Sequence, residues 1–204
     1  MRTNAPWLRN GLPSVVLLCA LSMGATAVQA GYPWQWSYGL ASADPERFND
    51  VAIDEADGSV YVVGDAENAS ISIGPITLFD QDQGILMKFD AQGNLLWYVP
   101  IGGSDQETTE SVTVASNGNV YIIGGFTSSC YFYNAGSAIS AANLISFSGS
   151  VDIYIAAYSP TGSLLWAKQA GNGSDEVFPQ IISDDTGLTT LFGYKGSLSQ
   201  SISV

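Results

Sequence analysis

The side chains of this chain that could do chemistry are carboxylates. Asp and Glu number 19 and histidine is absent, which removes the commonest general base, the Ser-His-Asp arrangement and the usual zinc ligands together. Acidic residues stand at matching places in two segments: Asp105 and Glu107 after Gly102-Gly103-Ser104, and Asp175 and Glu176 after Gly173-Ser174. Two carboxylates facing each other across a cleft are what glycoside hydrolysis requires. Both pairs, however, follow a tryptophan-bearing segment at the same place, and a feature needed once per repeat is a turn rather than a single active centre. No catalytic residue is therefore assigned. The same loops could offer oxygen ligands to calcium, although no Asp-x-Asp-x-Asp-Gly run with a distal Glu is present and Asp80-x-Asp82 stands alone. No cofactor and no metal ligand is assigned, with calcium in the acidic loops left open.

Other candidates are apolar or aromatic. Cys130 lies in Cys130-Tyr131-Phe132-Tyr133, where burial as a small hydrophobe is expected over reactivity. Trp34, Trp36 and Tyr131 to Tyr133 could stack on sugar rings. Trp97 and Trp166, each beside Leu-Leu, are expected to be core rings that fill the gap between neighbouring sheets. No ligand-binding residue is assigned, and the ligand is unknown.

The elements that must position these residues repeat along the chain. Trp34, Trp97 and Trp166 fall in register at steps of 63 and 69, each followed five residues later by Gly39, Gly102 or Gly171. A second anchor, two glycines six apart around an apolar run, recurs as Gly58–Gly64, Gly118–Gly124 and Gly187–Gly193. A period of this length marks stacked supersecondary units. Within a unit the strand signals are short and bounded by turn residues. One unit is read as Ile85–Phe89, Leu95–Ile101, Ser111–Ala115 and Asn119–Gly124. The next is read as Asp152–Tyr158, Ser163–Ala170, Val177–Ser183 and Leu188–Phe192. Each set is expected to form one four-stranded antiparallel sheet. Asp65 to Gln83 and Gly125 to Val151 are expected to be variable loops or extra hairpins. No window has helical apolar spacing, so an all-β chain is expected.

Residues 1–30 read as a signal peptide: Arg2 and Arg9, an apolar stretch from Leu12 to Leu21, and Val28-Gln29-Ala30 before the cleavage point. The apolar stretch is about ten residues, short of the roughly 20 a spanning helix needs, so no stable membrane insertion is expected after cleavage. The remaining region, 31–204, carries Arg47, Lys88, Lys168 and Lys195 against all 19 acids, a net charge of −15. Such a surface repels phosphate backbones, and no nucleic-acid partner is expected. Cys130 alone remains after cleavage, so no intrachain disulfide can form.

Phe89-Asp90-Ala91-Gln92-Gly93-Asn94-Leu95-Leu96-Trp97 and Asn117-Gly118-Asn119-Val120-Tyr121-Ile122-Ile123-Gly124 resemble the SBBP family of bacterial β-propeller repeats. Asp90 to Trp97 is also similar, more loosely, to the PQQ-type propeller repeat, whose tryptophan docks between blades. The SBBP resemblance spans Trp34 to about Gly193 and departs in the third unit, where Thr189-Thr190 replaces Val-Tyr. It implies a β-propeller fold in an extracellular setting and brings no catalytic residues with it.

On this reading the chain holds three units, approximately 34–83, 84–151 and 152–204, of four-stranded antiparallel blades. They amount to about two and three-quarter blades of an incomplete or open propeller, since closure takes about four to eight. The front part of a longer propeller, or a truncated product, is expected. The expected function is binding or scaffolding of a protein or glycan by a secreted or cell-surface protein, the periplasm included, without catalysis of its own. Self-association through open blade edges is a further expectation. The alternatives are the N-terminal fragment of a carbohydrate-active or quinone-dependent propeller enzyme, and a purely structural extracellular protein.

Overall fold

Runs of β-branched and aromatic residues separated by Gly-containing turns give this chain strands throughout. The computed structural model describes residues 36–37, 46–66, 71–73, 76–78, 83–103, 105–146, 149–171, 174–184 and 187–194, all within the unit Gln35–Val204. The expected leader, Trp34, Asp80 and Asp82 lie outside these residues. In order come β1 (Glu46–Ile53), β2 (Val60–Ala66), β3 (Ile71–Ile73), β4 (Ile76–Leu78), β5 (Gln83–Phe89), β6 (Leu95–Gly103) and β7 (Ser111–Val114). They are followed by β8 (Val120–Phe126), β9 (Ser129–Tyr133), β10 (Ser140–Ile145), β11 (Asp152–Tyr158), β12 (Leu164–Ala170), β13 (Glu176–Asp184) and β14 (Gly187–Tyr194). No helix occurs among the described residues, and the fold is all-β, as expected.

Every strand pairing is antiparallel. A six-stranded sheet has the order β1-β2-β5-β6-β9-β10, a four-stranded sheet the order β12-β11-β8-β7, and β13-β14 and β3-β4 are two-stranded. Among the described residues neither large sheet closes on itself.

The strands lie where the sequence places them, but they are shared out differently. β5 and β6 pair with β1 and β2, and β11 and β12 pair with β7 and β8; each sheet begins two strands before the expected grouping. The reason is the chain after each tryptophan strand. It turns out of its sheet through the acidic segment and starts the next one, with Glu107 bridging Phe126 and the Glu176 N–H donating to Val151 O at 2.9 Å. Both long inserts hold hairpins. The second, β9-β10, crosses to the preceding sheet, where Ile101–Gly103 of β6 pairs with Cys130–Phe132 of β9 and so covers an edge.

Successive sheets are packed in the same register. Asp50 of β1 accepts hydrogen bonds from the Ser111 hydroxyl at 2.7 Å and the Val112 N–H at 3.0 Å. Ser111 of β7 in turn accepts from the Ile181 N–H of β13 at 3.4 Å. Asp50, Ser111 and Gln180 therefore occupy one repeat position, and Glu46, Glu107 and Glu176, each four residues earlier, occupy another.

Between the two large sheets lies the main core: Tyr61, Val63, Leu86, Val99 and Ile101 on one side, and Val112, Val120, Ile122, Tyr154 and Tyr158 on the other, with Cys130 and Phe132. Ile123, Ile153 and Ile155 form a second core with Ile181 of β13. Central strand β11, buried from end to end, has core on both faces and, after Asp152, reads as an apolar run from Ile153 to Tyr158.

The tryptophans correct two expectations. Trp97 and Trp166 are half-buried rather than fully buried and pack against the margins of the two cores; Trp97 reaches the neighbouring sheet, as expected of a ring that fills the gap. The Trp97 indole N–H donates to Pro160 O at 3.1 Å, and the ring lies against Gly162 of the β11–β12 turn. Lys88 Nζ meets the same carbonyl at 3.3 Å. Trp36 lies against Gly93 of the β5–β6 turn in the same manner. Both glycines have a left-handed φ, 84° and 79°; a Cβ on Gly93 would strike the Trp36 indole at 2.7 Å, and one on Gly162 would strike Ala135 Cβ at 2.6 Å and crowd the Trp97 indole at 3.1 Å. Trp36, not Trp34, is therefore the equivalent of Trp97, and the first step of the repeat is 61 residues.

Candidate functional site

Each acidic segment folds into a corner between two sheets, built on a glycine whose missing side chain makes room for carboxylates. In the first corner, the Gly103 N–H donates to Glu107 Oε2 at 2.7 Å. A Cβ on Gly103 would collide with the Ser129 carbonyl and come 2.8 Å from Glu107 Oε1. One on neighbouring Gly102 would come 2.6 Å from the Gln83 side chain. Glu107 is buried. Cys130 is buried on the adjoining strand, and burial, with the Glu107 charge second, holds its thiol well above the usual range. A thiol so held is inert.

In the second corner Gly171 takes the place of Gly102 and Asp152 that of Gln83, each the first residue of its strand's pairing with the previous one (Gln83 with Ala66, Asp152 with Phe126). A Cβ on Gly171 would collide with the Asp152 carboxylate and lie 3.0 Å from Glu176 Oε2, so both carboxylates converge on a single Cα. Asp152 is 0% exposed and Glu176 1%. The Ser150 hydroxyl donates to Asp152 Oδ1 at 3.4 Å, whereas neither Glu176 carboxyl oxygen has a hydrogen-bond partner. Burial first, then the negative charges of Asp152 and Asp175, push the Glu176 carboxyl up to about 7. Two carboxylates withdrawn from water cannot both stay ionised without a proton or a cation to offset them.

Of the four acids singled out in the sequence, the structure buries Glu107 and Glu176 and leaves Asp105 and Asp175 at the surface. Asp175 Oδ1 accepts from the Val151 N–H at 3.3 Å and shapes the turn. Asp105–Glu107 and Asp175–Glu176 are thus not facing pairs. The facing pair is Asp152 with Glu176, and Asp152 was read only as the start of a strand. Matching the repeat copies strand by strand would have exposed it, as an acid where the other copy has Gln83. Among the described residues no group of three or more His, Cys, Asp or Glu side chains is gathered as a metal centre.

A further buried carboxylate, Asp65, lies where β2 meets the first corner. Asn49 Nδ2 donates to it at 2.7 Å and the Thr109 N–H at 2.8 Å, while burial pushes it up to about 6. The Thr109 hydroxyl continues the network to the Tyr154 hydroxyl at 2.7 Å. These side chains tie one sheet to the next.

Two clefts complete the surface. Trp36, Phe48, Val51, Val62 and Phe89 line an apolar cleft of about 400 Å³. Another, of about 490 Å³, lies where β1, β7 and β13 end, with Asp54, Glu55 and Asp184 on its wall. Tyr131 is exposed while Phe132 is buried, so only part of the aromatic patch is available for stacking. Comparison with protein-family models and with curated proteins finds no match to this chain.

Proposed function

We propose that the chain is a propeller-type repeat scaffold of the SBBP kind, exported to the cell surface or beyond, which binds a protein or glycan and catalyses nothing itself. The observation that supports this best is the repeated junction. Trp36 on the Gly93 turn and Trp97 on the Gly162 turn are the same contact made twice, and the second joins one four-strand meander to the next. The first meander, β1-β2-β5-β6, and the second, β7-β8-β11-β12, are then successive blades, and β13-β14 opens a third. In this arrangement the acidic corners are blade-to-blade turns, which is why they recur. Chemistry common to every blade serves the scaffold, and recognition falls to parts that differ between blades.

The apolar cleft around Trp36 is the part best suited to recognition, with an indole face beside Phe48 and Val51. Glycan and protein arrays probed with the chain lacking residues 1–30 should give discrete hits that Trp36→Ala weakens at least tenfold. Arrays with no hits would leave the purely structural alternative standing. Export is tested by fractionation and N-terminal sequencing, with Gly31 as the expected first residue.

Self-association is favoured by a specific contrast. Val112 is 4% exposed where the sheets meet, but its repeat equivalent Val51 is 58% exposed, and Ile182 on β13 is 65% exposed. At the β1 end the stack carries apolar surface that its middle buries, while on β13 the equivalent Ile181 is buried and its neighbour Ile182 is exposed; exposed apolar faces drive association. Sedimentation should show association that Val51→Asp and Ile182→Asp each weaken.

A further inference from the structure

We propose that the corner formed by Asp152 and Glu176 is a binding site for a hard divalent cation, calcium ahead of magnesium. The proposal stands apart from the binding and scaffolding role, since it rests on one corner and not on the repeat. Both carboxylates are withdrawn from solvent and both lie against Gly171. Glu176 turns Oε2 toward Gly171, and neither of its buried carboxyl oxygens has a hydrogen-bond partner. The charges acting on it most are Asp152 and Asp175, both negative. A cation between the two acids supplies the counter-charge that Glu176 finds in no donor.

The equivalent corner argues that this is a departure and not a by-product of the turn. There the chain has Gln83, a neutral side chain, and Glu107 receives the Gly103 N–H. One carboxylate with one donor is the arrangement the turn needs. The second corner keeps the glutamate and, as Gly171, the glycine at the place of Gly102, and adds a second acid.

The ligand set selects the ion. Histidine is absent and Cys130 belongs to the other corner, so the soft or nitrogen-seeking metals have no ligands here. Two carboxylates, with the Ser150 hydroxyl beside Asp152 and main-chain carbonyls or water to complete the shell, form an irregular oxygen set. Calcium accepts irregular geometry, whereas magnesium requires a near-ideal octahedron. Asp152 begins β11 and Glu176 begins β13, so the bound ion would fasten the β13–β14 hairpin to the four-stranded sheet.

Calorimetric titration of chelator-treated protein with calcium chloride at pH 7.5, alongside thermal melts, tests this. One ion per chain should bind, with a rise of several degrees in Tm and a smaller response to magnesium. The isosteric variants Asp152→Asn and Glu176→Gln should each lose the response at least tenfold, while Glu107→Gln should keep it. No heat and no Tm change with wild type up to 10 mM calcium, on the order of a weak extracellular site, would overturn the proposal. So would an undiminished response in both corner variants, which would assign binding to the acidic surface at large. If those variants fail to fold, wild type still decides, because binding at the pair saturates at one ion per chain and diffuse surface binding does not.

Discussion

The two acidic corners have the same backbone job and different chemistry. Both carry the chain from the tryptophan-bearing strand into the first strand of the next sheet, and both place a buried glutamate beside a glycine, Glu107 with Gly103 and Glu176 with Gly171, which stands at the place of Gly102. They differ where Gln83 stands opposite one and Asp152 opposite the other. The first corner shows what the turn requires: a single carboxylate that accepts a backbone N–H, a charge-assisted bond of the stronger kind. The second shows what has been added, a like charge that the low-dielectric corner penalises. An addition that costs stability in one copy and is missing from the other is what the proposed cation site would account for.

Substitutions of two corner glycines, which stand at adjacent and not equivalent repeat positions, should give the largest effects. Gly103→Ala would push a Cβ into the Ser129 carbonyl, a backbone atom of the paired strand β9, and should destabilise by about 3 kcal/mol. Gly171→Ala meets only the carboxylate ends of Asp152 and Glu176, which can swing away, and should cost about 1–2 kcal/mol. Chemical denaturation of both variants checks the order. Equal costs would mean that the second corner is as rigid as the first.

Exchanging the differing residue is the next test. In chelator at pH 8, Asp152→Asn should raise stability by about 1–2 kcal/mol by removing the like charge, and Gln83→Asp should lower it by a similar amount. Urea melts of the two variants read these shifts directly. If Gln83→Asp is neutral, the corners are not equivalent and the repeat alignment on Glu107 and Glu176 fails.

The pH profile carries a smaller effect with a definite sign. The Glu176 carboxyl is raised from 4.5 to about 7, so the folded state holds a proton that the unfolded chain has lost. The stability this confers is full below about 4.5 and is lost as pH rises through 7. It amounts to on the order of 2 kcal/mol after allowance for screening at the rim. Asp65, raised from 3.8 to about 6, acts with the same sign in a lower window. Without divalent ions, wild-type Tm should fall as pH rises from 4.5 to 8. Asp152→Asn should flatten the upper part of that fall and leave the lower part, which belongs to Asp65.

Most strands and turns were legible in the sequence because alternating apolar runs and Asn-Gly or Gln-Gly turns are local signals. The partition into sheets was not. A repeat looks the same whichever strand is counted first, and only the out-of-sheet turn at Glu107 and Glu176 shows where a sheet begins. Trp34 was taken as the repeat tryptophan through its five-residue spacing to Gly39. The spacing that the packing honours is the ten residues from Trp36 to Glu46, Trp97 to Glu107 and Trp166 to Glu176. The candidate site was half visible. Glu176 was marked by its recurrence, but Asp152 lies 24 residues earlier and reaches it only through the register of β8 with β11, a non-local pairing.

The central claim is that Asp152 makes the second corner a charge pair while the first holds a single acid. Carbon-13 NMR titration of the side-chain carboxyls in metal-free protein tests this most directly. Glu176 should titrate near 7 in wild type and return toward the ordinary glutamate range in Asp152→Asn. A Glu176 that titrates in the ordinary range in wild type, or that does not move when Asp152 is neutralised, would contradict it.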